Sequence, residues 1–128
     1  MTRPDLQTMR ATALAAAKHA SRWAYRNNYA NAPHTISVRE PNDHTLQLTG
    51  LRSWNYAKEA GCSTRTALAH LRKLAAAEMI VERRRGSVAC DFAPLREDAI
   101  AIGREIIAEM QDDGLPFDDD WREARKQS

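Results

Sequence analysis

Three consecutive arginines, Arg83, Arg84 and Arg85, precede Gly86 and form the strongest electrostatic feature of the sequence. Guanidinium groups placed side by side on a narrow turn repel one another unless an anion lies nearby. The run is therefore a candidate anion-binding site. A solvated charged turn is the alternative interpretation.

The charges of the chain are unevenly distributed, although its formal net charge is only +2. Residues 50–90 contain eight Lys/Arg against three Asp/Glu, and residues 1–49 contain six against three. Residues 91–128 contain five Lys/Arg against eleven Asp/Glu. The middle of the chain is thus suited to a polyanionic partner, whereas the C-terminal section is acidic.

Other residue types that carry chemistry do not occur at the spacing of a known site. The four histidines lack ligand spacing, and Cys62 and Cys90 stand 28 positions apart with no Cys-x-x-Cys companion, so we expect reduced cysteines and no metal. Glu40, Asp43 and His44 could form an acid–base cluster, but they lie in a predicted turn, where polar residues are common. The sequence has no phosphate-cradling glycine loop and no nucleophile elbow. We therefore expect no enzyme activity, no cofactor and no small-molecule ligand.

The length of 128 residues and the apolar fraction of 43% predict one compact domain with appended segments. No apolar stretch approaches the ~20 residues that are needed to span a bilayer. Asp5, Gln7 and Arg10 interrupt the apolar segment that a signal peptide would require. We expect a cytoplasmic protein without a membrane partner.

Helices at both ends of the chain are predicted from the spacing of apolar residues. The first covers residues 5–26 and the last covers residues 94–111. Residues 35–38 and 45–48 alternate between polar and aliphatic side chains, which predicts a hairpin or a loop that ends in a short strand. The expected inward residues are Leu6, Met9, Ala13, Ala17, Ala20 and Ala24 on the first helix, and Leu95, Ala99, Ile102 or Gly103, Ile106 and Met110 on the last.

Two helices and a second hairpin are predicted in the centre of the chain. A helix over residues 51–60 ends at Gly61, and Ser63 caps a second helix that continues to about Glu78. A hairpin over residues 80–92 follows. Thr49 or Ser53 is the expected cap of the first helix, whose inward face is Leu51, Trp54, Ala57 and Ala60. The expected inward face of the second helix is Ala67, Leu71, Leu74 and Ala75. The hairpin is expected to turn at residues 84–87 and to point Ile80, Val88, Cys90 and Phe92 inward.

A tight turn joins the two central helices, and the basic hairpin follows them. Ala57 is small enough for the second helix to cross over it, and Gly61 redirects the chain between the helices. With this spacing residues 49–92 resemble the winged helix-turn-helix family of DNA-binding domains, although Glu78 stands where that family usually has Gly. The implied fold is mainly α with a small β wing and added N-terminal and C-terminal helices. The other matching residues are Tyr56, Ser63, Thr66, Ala67, Leu71, Leu74, Met79 and Ile80.

The resemblance implies that the second central helix enters the major groove of double-stranded DNA and that the wing lies along the backbone or minor groove. Arg65 would read a guanine, because a guanidinium matches the two acceptors of that base. Thr64 and Thr66, or the N-terminus of the helix, would hold phosphates. The implied DNA-binding residues are Ser63, Thr64, Arg65, Thr66, Ala69, Arg72, Lys73, Arg83, Arg84 and Arg85.

The implied function is that of a sequence-specific transcriptional regulator, acting as a repressor on a palindromic operator. One helix and one wing read only a few base pairs, so we expect a homodimer. Two alternatives stay open. One is a replication, partition or maintenance factor of a plasmid or phage, and the other is a winged-helix module that binds proteins and not DNA.

The chain is predicted to divide into four segments. Residues 1–30 and 94–111 would dimerise, because their apolar stripes exceed what the central motif needs for its own core. Residues 35–93 would bind DNA. Residues 112–128 would form an acidic, mobile tail. In the alternative interpretation, residues 118–120 compete with DNA for the basic face or bind a partner.

Overall fold

The computed structural model describes residues 4–26, 35–40 and 45–112, and it is mainly helical. Within these residues the strands form two separate two-stranded antiparallel sheets. No helix in this part of the chain is long and apolar enough to cross a membrane. The elements in chain order are α1 (Leu6–Arg26), β1 (Thr35–Arg39), β2 (Thr45–Thr49), α2 (Ser53–Ala60), α3 (Thr64–Ala76), β3 (Ile80–Arg85), β4 (Val88–Pro94) and α4 (Arg96–Asp112).

Two hydrophobic clusters hold these elements together, and α1 contributes to both. Residues three or four positions apart on a helix share a face, so α1 presents one apolar stripe to its neighbours. The first cluster consists of Met9, Ala13, Ala16, Leu51, Tyr56, Ala57, Ala67, Leu71, Leu74, Ile80 and Phe92. The second consists of Ala17, Ile36, Val38, Leu48, Ala93, Ala99, Ile100, Ile102, Ile106 and Met110.

Strand β4 touches both clusters and also determines where α2 begins. Phe92 packs into the first cluster and Ala93 into the second, since successive strand residues point to opposite faces. The backbone of Phe92 exchanges two hydrogen bonds of 2.8 Å with the backbone of Leu51. Leu51 is therefore held extended beside β4, and α2 begins only at Ser53.

All the predicted helices and both predicted hairpins are present, but several boundaries differ from the prediction. The N-cap of α2 is Arg52, whose backbone N–H donates to Asn55 Oδ1 at 2.9 Å, and neither Thr49 nor Ser53 takes this role. Helix α4 begins two residues after Pro94, because Pro94 still pairs with Ile80 in the second hairpin. Helix α3 ends at Ala76, before the predicted Glu78, and the turn of the second hairpin is reduced to Gly86-Ser87.

The inward face of α2 is different from the predicted one. Trp54, expected to be inward, is 55% exposed, whereas Tyr56 is only 1% exposed. Ala57 is buried as predicted, and Ala60 is exposed. The burial of Tyr56 and Ala57 puts the contact of α2 with α1 and α3 at the middle of this short helix.

The apolar stripes of α1 and α4 are buried within the chain. Met9, Ala13 and Ala17 of α1 and Ile106 of α4 are each at most 4% exposed. Leu6 and Leu95, the first residues of the two predicted stripes, are 38% and 37% exposed. The surfaces expected to form a dimer thus already have partners in the same chain. The homodimer and the four-segment division stay predictions.

Five other side chains were predicted to point inward, those of Ala20, Ala24, Ala75, Val88 and Cys90. Ala20 and Ala75 are half-buried, so they lie at the margins of the helix interfaces. The side chains of Val88 and Cys90 lie outside the described part of the chain, as do the side chain of Ala24 and residues 113–128.

Candidate nucleic-acid interface

The turn between α2 and α3 places the N-terminus of α3 at the surface. Gly61 has φ of +70°, in the left-handed region, and its N–H donates to Ala57 O at 2.9 Å. Ser63 is the N-cap of α3, as predicted, and its Oγ accepts from the backbone N–H of Thr66 at 3.1 Å. Ser63 Oγ also donates to Thr66 Oγ1 at 3.0 Å, so both hydroxyls are held at the helix end.

Helix α3 has a buried apolar face and an exposed basic face. Ala67, Leu71 and Leu74 are fully buried, as their spacing predicted. The opposite face starts at Arg65 and continues along the helix at intervals of three and four residues. The exposed candidate residues are Thr64, Arg65, Thr66, Ala69, Arg72 and Lys73, together with the cap Ser63.

The basic side chains of this face form no ion pairs with other described residues. The sequence of α3 contains no Asp or Glu. In the described part of the chain, no hydrogen bond or ion pair involves the side chain of Arg65, Arg72 or Lys73. Arg72 also lines a groove of about 560 Å³ together with Glu78 and Glu82, so it lies at the border between the basic face and two carboxylates.

A polar contact between α2 and α3 holds the basic face in place. Tyr56 Oη lies 3.1 Å from His70 Nδ1, and the two rings meet edge to face with centroids 5.7 Å apart. Burial, with a smaller contribution from Cys62, raises the pKa of Tyr56 to about 12. His70 is therefore a structural partner of Tyr56.

The end of α3 explains how the chain accommodates Glu78. The N–H of Met79 donates to Leu74 O at 2.9 Å, which closes the last turn of the helix. Glu78 adopts φ of +59°, the left-handed conformation that usually favours Gly. Glu78 thus adopts at the end of α3 a backbone conformation in which Gly is the more common residue.

The three arginines of the second hairpin have different surroundings. Arg83 lies opposite Asp91 and donates two hydrogen bonds to its carboxylate, of 2.5 and 2.6 Å. Arg84 donates to the backbone oxygen of Ser87 at 3.2 Å and lies 3.7 Å from a Glu82 carboxylate oxygen. The side chain of Arg85 lies outside the described part of the chain.

Asp91 is the residue near the site that the sequence did not reveal. A regular ladder from the Gly86-Ser87 turn would place Cys90 opposite Arg83, but the register shifts between Arg83 and Arg84 and brings Asp91 there. An irregular register cannot be inferred from residue alternation. The acidic residue itself, close to an arginine run, was the only available signal.

Of the candidate acid–base cluster Glu40, Asp43 and His44, the structure describes only Glu40. Glu40 is buried, and its carboxylate accepts from Arg104 Nε at 2.7 Å. Asp43 and His44 lie outside the described residues. Glu40 therefore has a structural partner in Arg104, and the turn over the following residues stays a prediction.

Comparison of the chain with protein-family models, with curated proteins and with solved structures found no match.

Proposed function

We propose that this protein is a winged helix-turn-helix protein that binds double-stranded DNA in a sequence-specific manner and regulates transcription. The observation that carries the proposal is the exposed basic face of α3, which has no acidic neighbour on its own helix. A basic helix face beside a basic hairpin is the electrostatic pattern expected of a DNA-binding domain.

In the proposed complex α3 lies in the major groove, with its N-terminus toward the bases. The Arg65 guanidinium donates to the N7 and O6 acceptors of a guanine. Thr64, the N-terminal backbone N–H groups of α3 and the side chains of Arg72 and Lys73 contact phosphates. The hairpin of β3 and β4 is the wing, and its tip follows the DNA backbone.

The proposed activity is repression, by occupation of a palindromic operator as a homodimer. Two copies supply the base contacts that a single helix and wing lack. Because α1 and α4 bury their stripes within the chain, the dimer contact would involve other exposed residues of these helices. Sedimentation at tens of micromolar tests this point, and a monomer mass throughout would refute the homodimer.

The central experiment selects bound duplexes from a random-sequence pool with the purified full chain, and then measures affinity for the best duplex by fluorescence anisotropy. Enrichment of one sequence, often in two inverted copies, is the expected result. Arg65→Ala should lower affinity for that duplex about 10- to 100-fold and affinity for unrelated duplexes much less.

A matched control is Arg10→Ala, which removes the same charge from α1, where Arg10 is paired with Asp98 at 2.7 Å. This variant should bind the selected duplex nearly as well as the unaltered chain. If the pool shows no enrichment and the folded chain has no salt-dependent affinity for duplex DNA, the proposal is wrong. The protein-interaction module then becomes the better hypothesis.

The positions of the selected sequence in the genome also separate regulation from the replication or partition alternative. Single sites beside promoters favour a repressor, whereas arrays of repeated sites at an origin favour a replication or maintenance factor. Both tasks use the same α3 contacts, so the variants above test either one.

A further inference from the structure

We propose that Arg83, paired with Asp91, is a positioning residue that orients the tip of the wing, and that it makes no contact with DNA itself. The inference rests on the proposed function and assigns different roles to neighbouring arginines of one run. Arg84, the next residue, is the wing side chain that can reach a phosphate.

The pair has the geometry of a fixed structural contact. Arg83 and Asp91 face each other across the ladder, and both hydrogen bonds run from one guanidinium to the two oxygens of one carboxylate. Such a two-point contact fixes the relative orientation of both side chains. The side chain of Asp91 is fully buried, and that of Arg83 is 31% exposed.

The position of the pair in the hairpin matters as much as its geometry. The register shifts directly after Arg83, between it and Arg84, and the strands then continue only to Arg85 and Val88 before the turn. A shift of this kind bends the strand and increases its twist. The pair therefore lies at the base of the tip, where the direction of the last residues is determined.

The surroundings of Arg83 and Arg84 differ in a way that separates their roles. Turning the Arg83 guanidinium toward a phosphate would leave a buried carboxylate without its cation, which is unfavourable. Arg84 is 50% exposed, and its contacts are a backbone oxygen at 3.2 Å and a carboxylate oxygen at 3.7 Å. Exchanging these weak contacts for a phosphate costs little in comparison.

The test measures the affinity of the full chain for its selected duplex as a function of NaCl concentration. Asp91→Asn removes one negative charge, so a freed DNA-contacting Arg83 would raise the affinity. A positioning role predicts the opposite, a fall of several-fold. Asp98→Asn is the matched control, since it makes the same charge change on α4 and should not lower the affinity.

A second variant keeps the test decisive even where Asp91→Asn or Arg83→Gln alone fails to fold. The double variant Arg83→Gln with Asp91→Asn replaces the ion pair by a neutral hydrogen-bonded pair. Its affinity should recover to within about twofold of the unaltered chain, with an unchanged slope of log affinity against log salt. Arg84→Gln should instead reduce the magnitude of that slope by about 0.9 for each lost phosphate contact.

The outcomes separate this inference from the proposed function. If the magnitude of the slope falls by about 0.9 per subunit in the double variant, Arg83 binds a phosphate. That result would overturn this inference and leave the proposed function intact. A gain of affinity in Asp91→Asn would do the same. Absence of DNA binding by the unaltered, folded chain would refute the proposed function and, with it, the role assigned to Arg83.

Discussion

Helices α1 and α3 have the same kind of sequence and opposite electrostatic surroundings. Each is rich in alanine, contains several basic residues and contains no Asp or Glu. On α1, however, the basic side chains of Arg10, Lys18 and Arg22 meet carboxylates of α4. The corresponding residues of α3 have no such partners in the described part of the chain.

The pairs between α1 and α4 advance together along both helices. Arg10 lies 2.7 Å from Asp98, and Lys18 lies 2.9 Å from Glu105. Glu109 then receives hydrogen bonds from Arg22 Nε and an Arg22 terminal nitrogen, each of 2.8 Å. The two helices therefore run parallel, and the acidic C-terminal section neutralises α1 and leaves the α3 face positive.

The largest expected effect comes from removing the basic face of α3. The triple variant Arg65→Ala, Arg72→Ala and Lys73→Ala should lose at least ~100-fold in affinity for the selected duplex, and the magnitude of its salt slope should fall by about 2 to 3 per subunit. Its thermal stability should change little, because exposed residues without partners contribute little. Anisotropy titrations and melting curves measure both quantities.

The matched control for that variant is Arg10→Ala, Lys18→Ala and Arg22→Ala on α1, which changes the net charge by the same amount. It should keep DNA affinity within a few-fold and lose stability instead. If both triples weaken DNA binding equally, net charge and not the α3 face accounts for binding, and the contrast between the helices has no functional meaning.

A smaller effect concerns how α3 is held by α2 at alkaline pH. Because burial raises the pKa of Tyr56 to about 12, the folded chain keeps this phenol protonated at a pH where the unfolded chain loses its proton. The stability associated with Tyr56 is thus fully present below pH ~10 and declines between pH ~10 and ~12, by about 1 kcal/mol at pH 11. Tyr56→Phe should show a correspondingly smaller alkaline loss of melting temperature.

Tyr56→Phe also removes the hydrogen bond with His70, so its stability at pH 8 should be lower by about 1 kcal/mol. The informative quantity is the difference between the two curves from pH 8 to pH 11. Curves that stay parallel throughout would contradict the assignment of the alkaline loss to Tyr56.

The ion pairs of α1 predict a modest loss of stability. Arg22→Ala removes the two hydrogen bonds to Glu109 and should lower the free energy of unfolding by about 0.5 to 1 kcal/mol, as partly exposed pairs do. Urea unfolding at low salt measures this. Arg65→Ala is the comparison on α3, and a loss as large as that of Arg22→Ala would show that Arg65 has a structural partner.

The smallest effect is the acid sensitivity of the same pairs. Arg22, followed by Lys18, holds the pKa of Glu109 below its usual range. The resulting stability is present above the ordinary carboxyl pKa and is lost as pH falls through the lowered value. Because these side chains are partly exposed, we expect only about a few tenths of a kcal/mol. Glu109→Gln should reduce the difference between urea unfolding at pH 7 and pH 3 by that amount, and an unchanged difference would exclude this carboxylate as a contributor.

The helices and hairpins could be predicted because their signals are local. Ser63 caps the first turn of α3, Gly61 takes a left-handed conformation, and Ala67, Leu71 and Leu74 recur at the helical repeat. Each of these features involves residues within one or two helical turns of each other. Their outcome therefore depends little on the rest of the chain.

The features that escaped prediction depend on distant residues. The choice between Trp54 and Tyr56 as the buried aromatic of α2 is made by where α1 and α3 cross it. The pairing of Arg83 with Asp91 depends on a register shift that no alternation of residues reveals. The burial of the apolar stripes of α1 and α4 within the same chain likewise depends on how these two helices pack.

The sequence by itself determined the order of the elements, the buried face of α3 and the basic character of the middle of the chain. Hydrogen bonding along the backbone and burial of apolar residues act at fixed spacings, so these features can be deduced from residue type and position. Tertiary structure alone decided which basic residues stay unpaired. Charge pairing depends on distances in space: α4 brings carboxylates to the basic side chains of α1, and no described residue pairs with those of Arg65, Arg72 and Lys73 on α3.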